Sequence, residues 1–157
     1  MTAEIQKAGV SSFVLLQIGR RRFALPAEIV SELAPPVRLH TFPHHSALLA
    51  GVIVRRGRIV PVYDVGSILL GKSPSVQRFY LIARRTFGSG SEPSAIPVSG
   101  ECELTTAQME QATDEQRAYV SGRLAVNGES IEVLDFDALV TTDEARKSQR
   151  AQRETQS

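Results

Sequence analysis

The chain has 157 residues, of which 42% are hydrophobic and 22% charged, a composition typical of one soluble globular domain. Eighteen basic and seventeen acidic side chains leave a formal net charge of +1, so no whole-molecule field favours nucleic acid or an anionic membrane. The only cysteine, Cys102, allows no internal disulfide, and no apolar run has the length of a signal-peptide core or a membrane span. We expect a cytoplasmic protein without direct membrane insertion.

Short runs rich in β-branched and apolar residues, separated by glycine, proline or charged clusters, predict strands along the chain. In chain order these runs read FVLLQI, GVIV, IVPVY, FYLIA, RLAV and IEVL. Asn127-Gly128 separates the last two, and this dipeptide tolerates the positive φ angles of a tight hairpin turn. The sequence therefore predicts an all-β fold with only short helices.

A repeat with a constant offset of 71 residues relates the two halves of the chain. The matching pairs are Gly51 and Gly122, Gly57 and Gly128, Val62 and Val133, and Asp64 and Asp135, with Ala24-Leu25-Pro26 matching Ala95-Ile96-Pro97 upstream. Such self-similarity predicts two structural halves related by a pseudo-twofold axis. Two short-stranded halves are each too small for a large open sheet, which favours two small barrels packed side by side.

The repeat also assigns structural positions. Gly57 and Gly128 are expected in equivalent hairpin turns, and Gly51 and Gly122 at equivalent strand positions. Asp64 and Asp135 each follow a predicted strand and precede a short apolar segment, so both are interpreted as caps of a helical first turn.

Catalytic and metal-binding groups are sparse. His40, His44 and His45 lie close together, but Pro43 breaks helical spacing and no carboxylate is near in sequence, so a solvated connection is favoured over a metal site. Cys102 lies between two glutamates, which disfavour a reactive thiolate. We expect no enzymatic activity, no cofactor and no metal.

Three basic clusters remain, and they admit two interpretations. Arginines at exposed turns maintain solubility and prevent strand edges from pairing. A small barrel with a basic rim could also bind nucleic acid, and this is the alternative function. The clusters are Arg20-Arg21-Arg22, Arg55-Arg56-Arg58 and Arg84-Arg85.

From Ser12 to Val140 the sequence resembles the CheW-like domain of bacterial chemotaxis coupling proteins. The segments that carry the resemblance are FVLLQIG, RFALPAEIVSEL, FPHH, LLAGVIVRRGRIVPVYDV and YVSGRLAVNGESIEVLDFDALV. The most specific part runs from Gly51 through the Arg56-Gly57 turn and Pro61-Val62 to Asp64. The family has an asparagine and an apolar residue before the Arg-Gly pair, whereas Val54 and Arg55 stand here and make the turn more basic.

The resemblance implies one domain over residues 12–140, built of two five-stranded barrels in pseudo-twofold arrangement. The first subdomain is expected over about 12–75 plus exchanged segments and the second over about 76–140, with flexible ends at 1–11 and 141–157.

The resemblance also implies a non-enzymatic adaptor in signal transduction. The implied partners are the regulatory domain of a CheA-type histidine kinase, the cytoplasmic tip of a chemoreceptor and other CheW-like domains, with recruitment to the inner face of the membrane through the receptors. Nucleic acid is not expected as a partner. The implied partner-binding residues are Val30, Glu32 and Leu33 on one strand and Arg55, Arg56 and Arg58 at the basic turn.

Overall fold

The fold is described from a computed structural model that covers residues 9–41, 43, 48–74, 76–112 and 118–141. His44, His45 and most of both predicted flexible ends lie outside these residues. Eleven strands are present in the described part: β1 Ser11–Ile18, β2 Arg21–Pro26, β3 Val30–Ala34, β4 Leu49–Arg55, β5 Arg58–Tyr63, β6 Phe79–Phe87, β7 Gly90–Val98, β8 Glu103–Ala107, β9 Glu110–Gln111, β10 Val120–Val126 and β11 Glu129–Leu134. A 3-10 turn covers Ala27–Ile29, helix α1 covers Gly66–Leu69, and residues 136–141 are helical. None of these described helices is long and apolar enough to cross a membrane.

The strands form two sheets that exchange their hairpins. One sheet has six strands in the order β8-β1-β2-β11-β10-β9, and the other has five in the order β3-β6-β7-β5-β4. The hairpin β1-β2 of the first half therefore belongs to the sheet of the second half, and β6-β7 belongs to the sheet of the first. Two parallel contacts make the exchange, between β2 and β11 and between β5 and β7.

Each sheet curls back on itself where its outermost strands meet. In the six-stranded sheet these are β8 and β9, which only two residues separate in the chain. In the five-stranded sheet, the segment after β3 reaches β4 through a lone antiparallel bridge between His40 and Val52. The predicted all-β fold of two small barrels is confirmed. The second sheet has six strands instead of five because the segment that closes it is divided into β8 and β9.

The backbone repeats the sequence offset. The β4-β5 turn has positive φ at Arg56 and Gly57, 52° and 74°, and the β10-β11 turn has 50° and 80° at Asn127 and Gly128. Positive φ at both central residues defines the hairpin turn whose twist matches that of the flanking strands. The backbone N–H of Asp64 donates to the carbonyl of Leu48, and that of Asp135 donates to the carbonyl of Tyr119.

Gly51 and Gly122 occupy the points of closest backbone approach. Each follows a break in the register of its hairpin. A Cβ added to Gly51 would lie 2.4 Å from the carbonyl oxygen of His40, and one added to Gly122 would lie 2.2 Å from that of Glu110. Both carbonyls belong to the closing segments, so the two glycines allow the barrels to close.

Alternating apolar side chains fill three clusters. The five-stranded barrel contains a cluster that includes Ile53, Val60 and Ile82, and the six-stranded barrel contains one that includes Phe13 and Leu124. The largest cluster draws on strands of both sheets and both helical segments, with members such as Leu16, Phe23, Tyr63, Leu81, Ile96 and Phe136. This shared cluster joins the two barrels.

The two predicted caps differ. Asp135 Oδ1 accepts a hydrogen bond from the backbone N–H of Ala138 at 3.0 Å, which is the geometry of a cap. The prediction for Asp64 is corrected, because α1 begins after Val65 without a side-chain cap and the buried Asp64 carboxylate instead accepts a hydrogen bond from the Ser73 hydroxyl. Asp64 thus ties the segment after α1 to the end of β5.

We predict that Gly51→Ala and Gly122→Ala each destabilise the fold, because the new methyl group meets a backbone carbonyl that cannot move without opening the barrel. The expected loss is about 1–3 kcal/mol in the free energy of unfolding, measured by urea denaturation. Gly100→Ala is the control, since the nearest neighbour of its Cβ is the flexible amide end of Gln17 at 3.2 Å. Equal midpoints for all three variants would contradict this account of barrel closure.

We also predict that Gly57→Val lowers stability whereas Arg56→Asn does not. A Cβ at Gly57 has nothing within 4 Å, so the cost comes from placing a β-branched residue at a φ of 74° and amounts to at least ~1–2 kcal/mol. Asparagine occupies the equivalent position 127 at nearly the same φ, so Arg56→Asn should stay within about 0.5 kcal/mol of the parent. Thermal melts of the two variants provide the comparison, and a Gly57→Val protein that melts like the parent would refute it.

Candidate partner-binding site

Several of the predicted partner-binding residues meet at the β4-β5 turn, where β3 passes beside the hairpin. Arg55 Nε donates to Glu32 Oε1 at 2.8 Å, and Arg56 Nη2 donates to Glu32 Oε2 at 3.0 Å. One carboxylate therefore holds two guanidinium groups, one on each oxygen. Because β3 and β4 are the outermost strands of their sheet, these bonds also link its two edges.

The two ion pairs differ in exposure. The side chains of Glu32 and Arg55 are 25% and 26% exposed, whereas that of Arg56 is 75% exposed. The hydrogen bonds from Arg55 and Arg56 lower the pKa of Glu32 to about 2, and the bond to Glu32 raises the pKa of Arg55. Glu32 therefore stays ionised at neutral pH, and its contribution to stability is lost only as the pH falls from about 4.5 toward 2.

Arg58 completes the group that we call the arginine cluster: Arg55, Arg56 and Arg58. It lies opposite Arg55 in the hairpin register, and it forms no ion pair with any described residue. The hairpin tip thus carries three guanidinium groups but only one carboxylate, that of Glu32, which leaves an excess positive charge there.

The second repeat provides an internal comparison. Glu103 is the counterpart of Glu32, but the counterparts of Arg55, Arg56 and Arg58 are Val126, Asn127 and Glu129. There, Arg22 bridges Glu103 and Glu129 with distances of 3.2 and 3.1 Å. The same hairpin folds without any of the three arginines, so the fold does not require the cluster.

The six residues predicted to bind partners fall on two sides of the first barrel. A register break between Val30 and Glu32 separates their side chains. Val30 and Leu33 pack against the large cluster between the barrels, whereas Glu32 joins the arginine cluster. The structure therefore brings together Glu32, Arg55, Arg56 and Arg58 and places Val30 and Leu33 on the neighbouring face.

Some residues of this region were not found from the sequence. A cleft of about 420 Å³ opens beside the arginine cluster, and its other lining residues are Ser31, Glu32, Val60, Ile82 and Pro93. Val54 and Ile59 face each other across the hairpin and are 54% and 72% exposed. Strict alternation along β4 and β5 could have indicated that this pair points away from the core.

Three arginines of the other two basic clusters, Arg21, Arg22 and Arg85, contact acidic or aromatic groups of the same chain. Arg21 pairs with Glu132, and Arg22 with Glu103 and Glu129. Arg85 donates to the hydroxyl of Tyr63 and lies over its ring, with 5.7 Å from Cζ to the ring centroid. These arginines are engaged within the fold, which weakens the nucleic-acid alternative.

The described residues contain no group of three or more His, Cys, Asp and Glu side chains that could hold a metal ion. His40 is exposed and its backbone bridges Val52, while the other two histidines of the motif lie outside the described residues. Burial raises the pKa of the Cys102 thiol to about 11, so it stays protonated at neutral pH.

Known proteins share both this sequence pattern and this fold. The chain is 23% identical over 142 residues to a probable chemotaxis protein CheW of Rhizobium etli, covering 87% of this chain and 92% of that protein. It is 24% identical over 143 residues to a chemotaxis protein CheW of Rhizobium meliloti, with 87% and 91% covered. The crystal structure of the scaffolding protein TtCheW from Thermoanaerobacter tengcongensis superposes with a TM-score of 0.64 at 17% identity, over 82% of this chain and 91% of that one. Residues 12–144 match the family model of the CheW-like domain, so the predicted resemblance is confirmed and the chain belongs to the CheW-like family.

Proposed function

We propose that this chain is a non-enzymatic chemotaxis-type coupling adaptor, which links the cytoplasmic tips of chemoreceptors to the regulatory domain of a CheA-type histidine kinase. Family membership and the scaffolding protein of the same fold support the class of adaptor. Receptors would recruit the chain to the inner face of the membrane. Other CheW-like domains are further candidate partners, because the kinase regulatory domain has the same kind of fold.

The observation that carries the proposal is the excess charge of the arginine cluster. The second repeat forms the same turn without it, with Asn127 at the position of Arg56 and Glu129 at that of Arg58. Charge that the fold does not require, held at an exposed hairpin tip, indicates a partner of opposite charge.

The geometry suits a helical partner with acidic side chains. A guanidinium presents several N–H donors in one plane and binds carboxylates through charge-assisted hydrogen bonds. Arg55, which is partly buried, fixes Glu32, and Glu32 in turn restrains Arg56 through its second oxygen. Arg56 is thus partly ordered before a partner arrives, which lowers the entropy lost on binding.

We predict that Arg56→Glu weakens binding to a chemoreceptor cytoplasmic fragment by more than tenfold and leaves binding to the kinase regulatory domain unchanged. Loss of a charge-assisted hydrogen bond costs ~1–3 kcal/mol, and the reversed charge adds repulsion. Affinities are measured by titration calorimetry with each partner separately, alongside thermal melts.

Asn127→Glu is the matched control, because it introduces the same side chain at the equivalent turn position of the other barrel. It should leave receptor affinity unchanged. Arg56→Asn should lower receptor affinity less than Arg56→Glu, since it removes the charge without reversing it. A folded Arg56→Glu protein that binds the receptor fragment like the parent would overturn the assignment of this turn.

A further inference from the structure

The two halves of the chain complete each other's sheets. The first half runs through α1, and the second begins with β6. Within one half, the described strands pair only as the hairpins β1-β2, β4-β5, β6-β7 and β10-β11 and through the short pairing of β9 with β10. The remaining pairings, β1 with β8, β2 with β11, β3 with β6 and β5 with β7, join the first half to the second. Each half is therefore a set of hairpins that forms sheets only with the other half.

Only the connection from Leu70 to Arg78 joins the halves covalently. The large apolar cluster between the barrels takes side chains from both halves, such as Leu16 from the first and Leu81 from the second. Strand pairing and apolar packing do not require that the two halves belong to the same chain. The second half of another copy can therefore supply every one of these contacts, which is the condition for domain swapping.

The connection turns back on its own half at Gly71. This glycine follows the C-cap of α1 and has a φ of 78°. A glycine in the left-handed conformation at this place ends a helix and redirects the chain. After the turn, the Ser73 hydroxyl donates to the buried Asp64 carboxylate, and Pro74 lies close to Gly66. The turn thus folds the connection against the first half before it continues to β6.

We infer that the chain forms a dimer with a second copy by reciprocal exchange of halves, with Gly71 as the hinge. In this dimer the first half of each copy pairs with the second half of the other. The strand pairings and apolar clusters of the monomer are all kept, and only the turn at Gly71 and the contacts of the connection change. The inference does not depend on the proposed function, and the dimer carries two copies of the arginine cluster.

The length of the connection determines when the exchanged dimer forms. A short connection holds its two ends at an effective concentration in the millimolar range, so a dilute parent protein should be monomeric. A substitution that disfavours the turn at Gly71 weakens the closed arrangement, whereas an exchanged dimer can straighten the connection at this point. Such a substitution should therefore shift the equilibrium toward the dimer.

The test replaces Gly71 by valine. A β-branched residue is disfavoured at a φ of 78°, and a Cβ at Gly71 has nothing within 4 Å, so the cost lies in the backbone conformation alone. This conformation costs about tenfold in population at each hinge, so we expect the dimerisation constant to rise by about 100-fold, since the dimer contains two hinges. Sedimentation equilibrium of the parent and of Gly71→Val measures this constant.

Gly57→Val is the matched control. Gly57 has a φ of 74° and also leaves nothing within 4 Å of an added Cβ, but it lies in the β4-β5 turn and not in the connection. This variant should lower stability without raising the dimerisation constant. Gly71→Asn should dimerise like the parent, because asparagine tolerates the left-handed conformation.

A second measurement identifies which halves are paired and does not require the valine variants to fold. Arg21 and Glu132 form an ion pair of 2.9 Å between the two halves. Two otherwise parental chains carry Cys102→Ala, and one has Arg21→Cys and the other Glu132→Cys. They are unfolded together in urea, refolded at about millimolar concentration and treated with a bis-maleimide. Exchange brings the two cysteines together, so we expect a cross-linked pair of chains, and the same chains refolded separately and then mixed should give far less of it.

Two results would overturn the inference. In the first, folded Gly71→Val dimerises no more than Gly57→Val, which would show that the turn does not control exchange. In the second, the chains refolded together cross-link no more than the chains mixed after separate refolding, which would show that the halves do not exchange. If Gly71→Val does not fold, the cross-linking of the two parental chains decides.

Discussion

Two short parallel contacts hold the molecule together. Val62 of β5 pairs with Ala95 of β7, and Val133 of β11 pairs with Ala24 of β2. All four residues are fully buried, and the small alanines allow the strands to meet inside the protein. Because each contact joins one half of the chain to a hairpin of the other half, neither half can complete its barrel alone. The large apolar cluster between the barrels depends on the same exchange, so we expect the two halves to fold as one cooperative unit.

The duplication separates what the fold requires from what distinguishes the proposed binding site. Features present in both repeats have structural explanations. They are the paired positive φ angles in the turns, the close approach of Gly51 and Gly122 to a backbone carbonyl, and the hydrogen bonds donated by the backbone N–H groups of Asp64 and Asp135. The glutamate is also retained, as Glu32 and Glu103, and in each barrel it pairs with arginine. What differs is the source and number of these arginines. The second barrel uses Arg22 from the exchanged hairpin, which pairs with both Glu103 and Glu129, whereas the first uses the arginines of its own turn and retains excess positive charge.

Local sequence signals predicted most of the fold and only part of the site. The barrels and turns could be predicted because their signals are local or keep a constant spacing in the chain. These signals are the strand patterns, the Asn127-Gly128 turn and the repeat offset of 71 residues. The pairing of Glu32 with Arg55 spans 23 residues and depends on how β3 passes the hairpin. The register break after Val30 could not be predicted either, and it places Val30 on the face of Leu33 instead of on that of Glu32. The local pattern predicts that the Asp64 carboxylate caps a helix. In the structure this carboxylate instead accepts a hydrogen bond from the hydroxyl of Ser73, nine residues later in the chain.

The sharing of one carboxylate between two arginines accounts for how a charged site coexists with a closed barrel. A single Glu32-Arg56 pair would engage both groups and leave little charge for a partner. Arg55 is the less exposed of the two arginines, and its bond keeps Glu32 ionised and ordered. The positive charge of Arg55 alone is enough to balance the negative charge of Glu32. The bond to Arg56 then serves to position an exposed guanidinium more than to neutralise it, and exposed pairs of this kind add only ~0–1 kcal/mol to stability. In the proposed binding mode, the Arg56 contact is exchanged for one with a partner while the link between β3 and β4 through Arg55 remains in place.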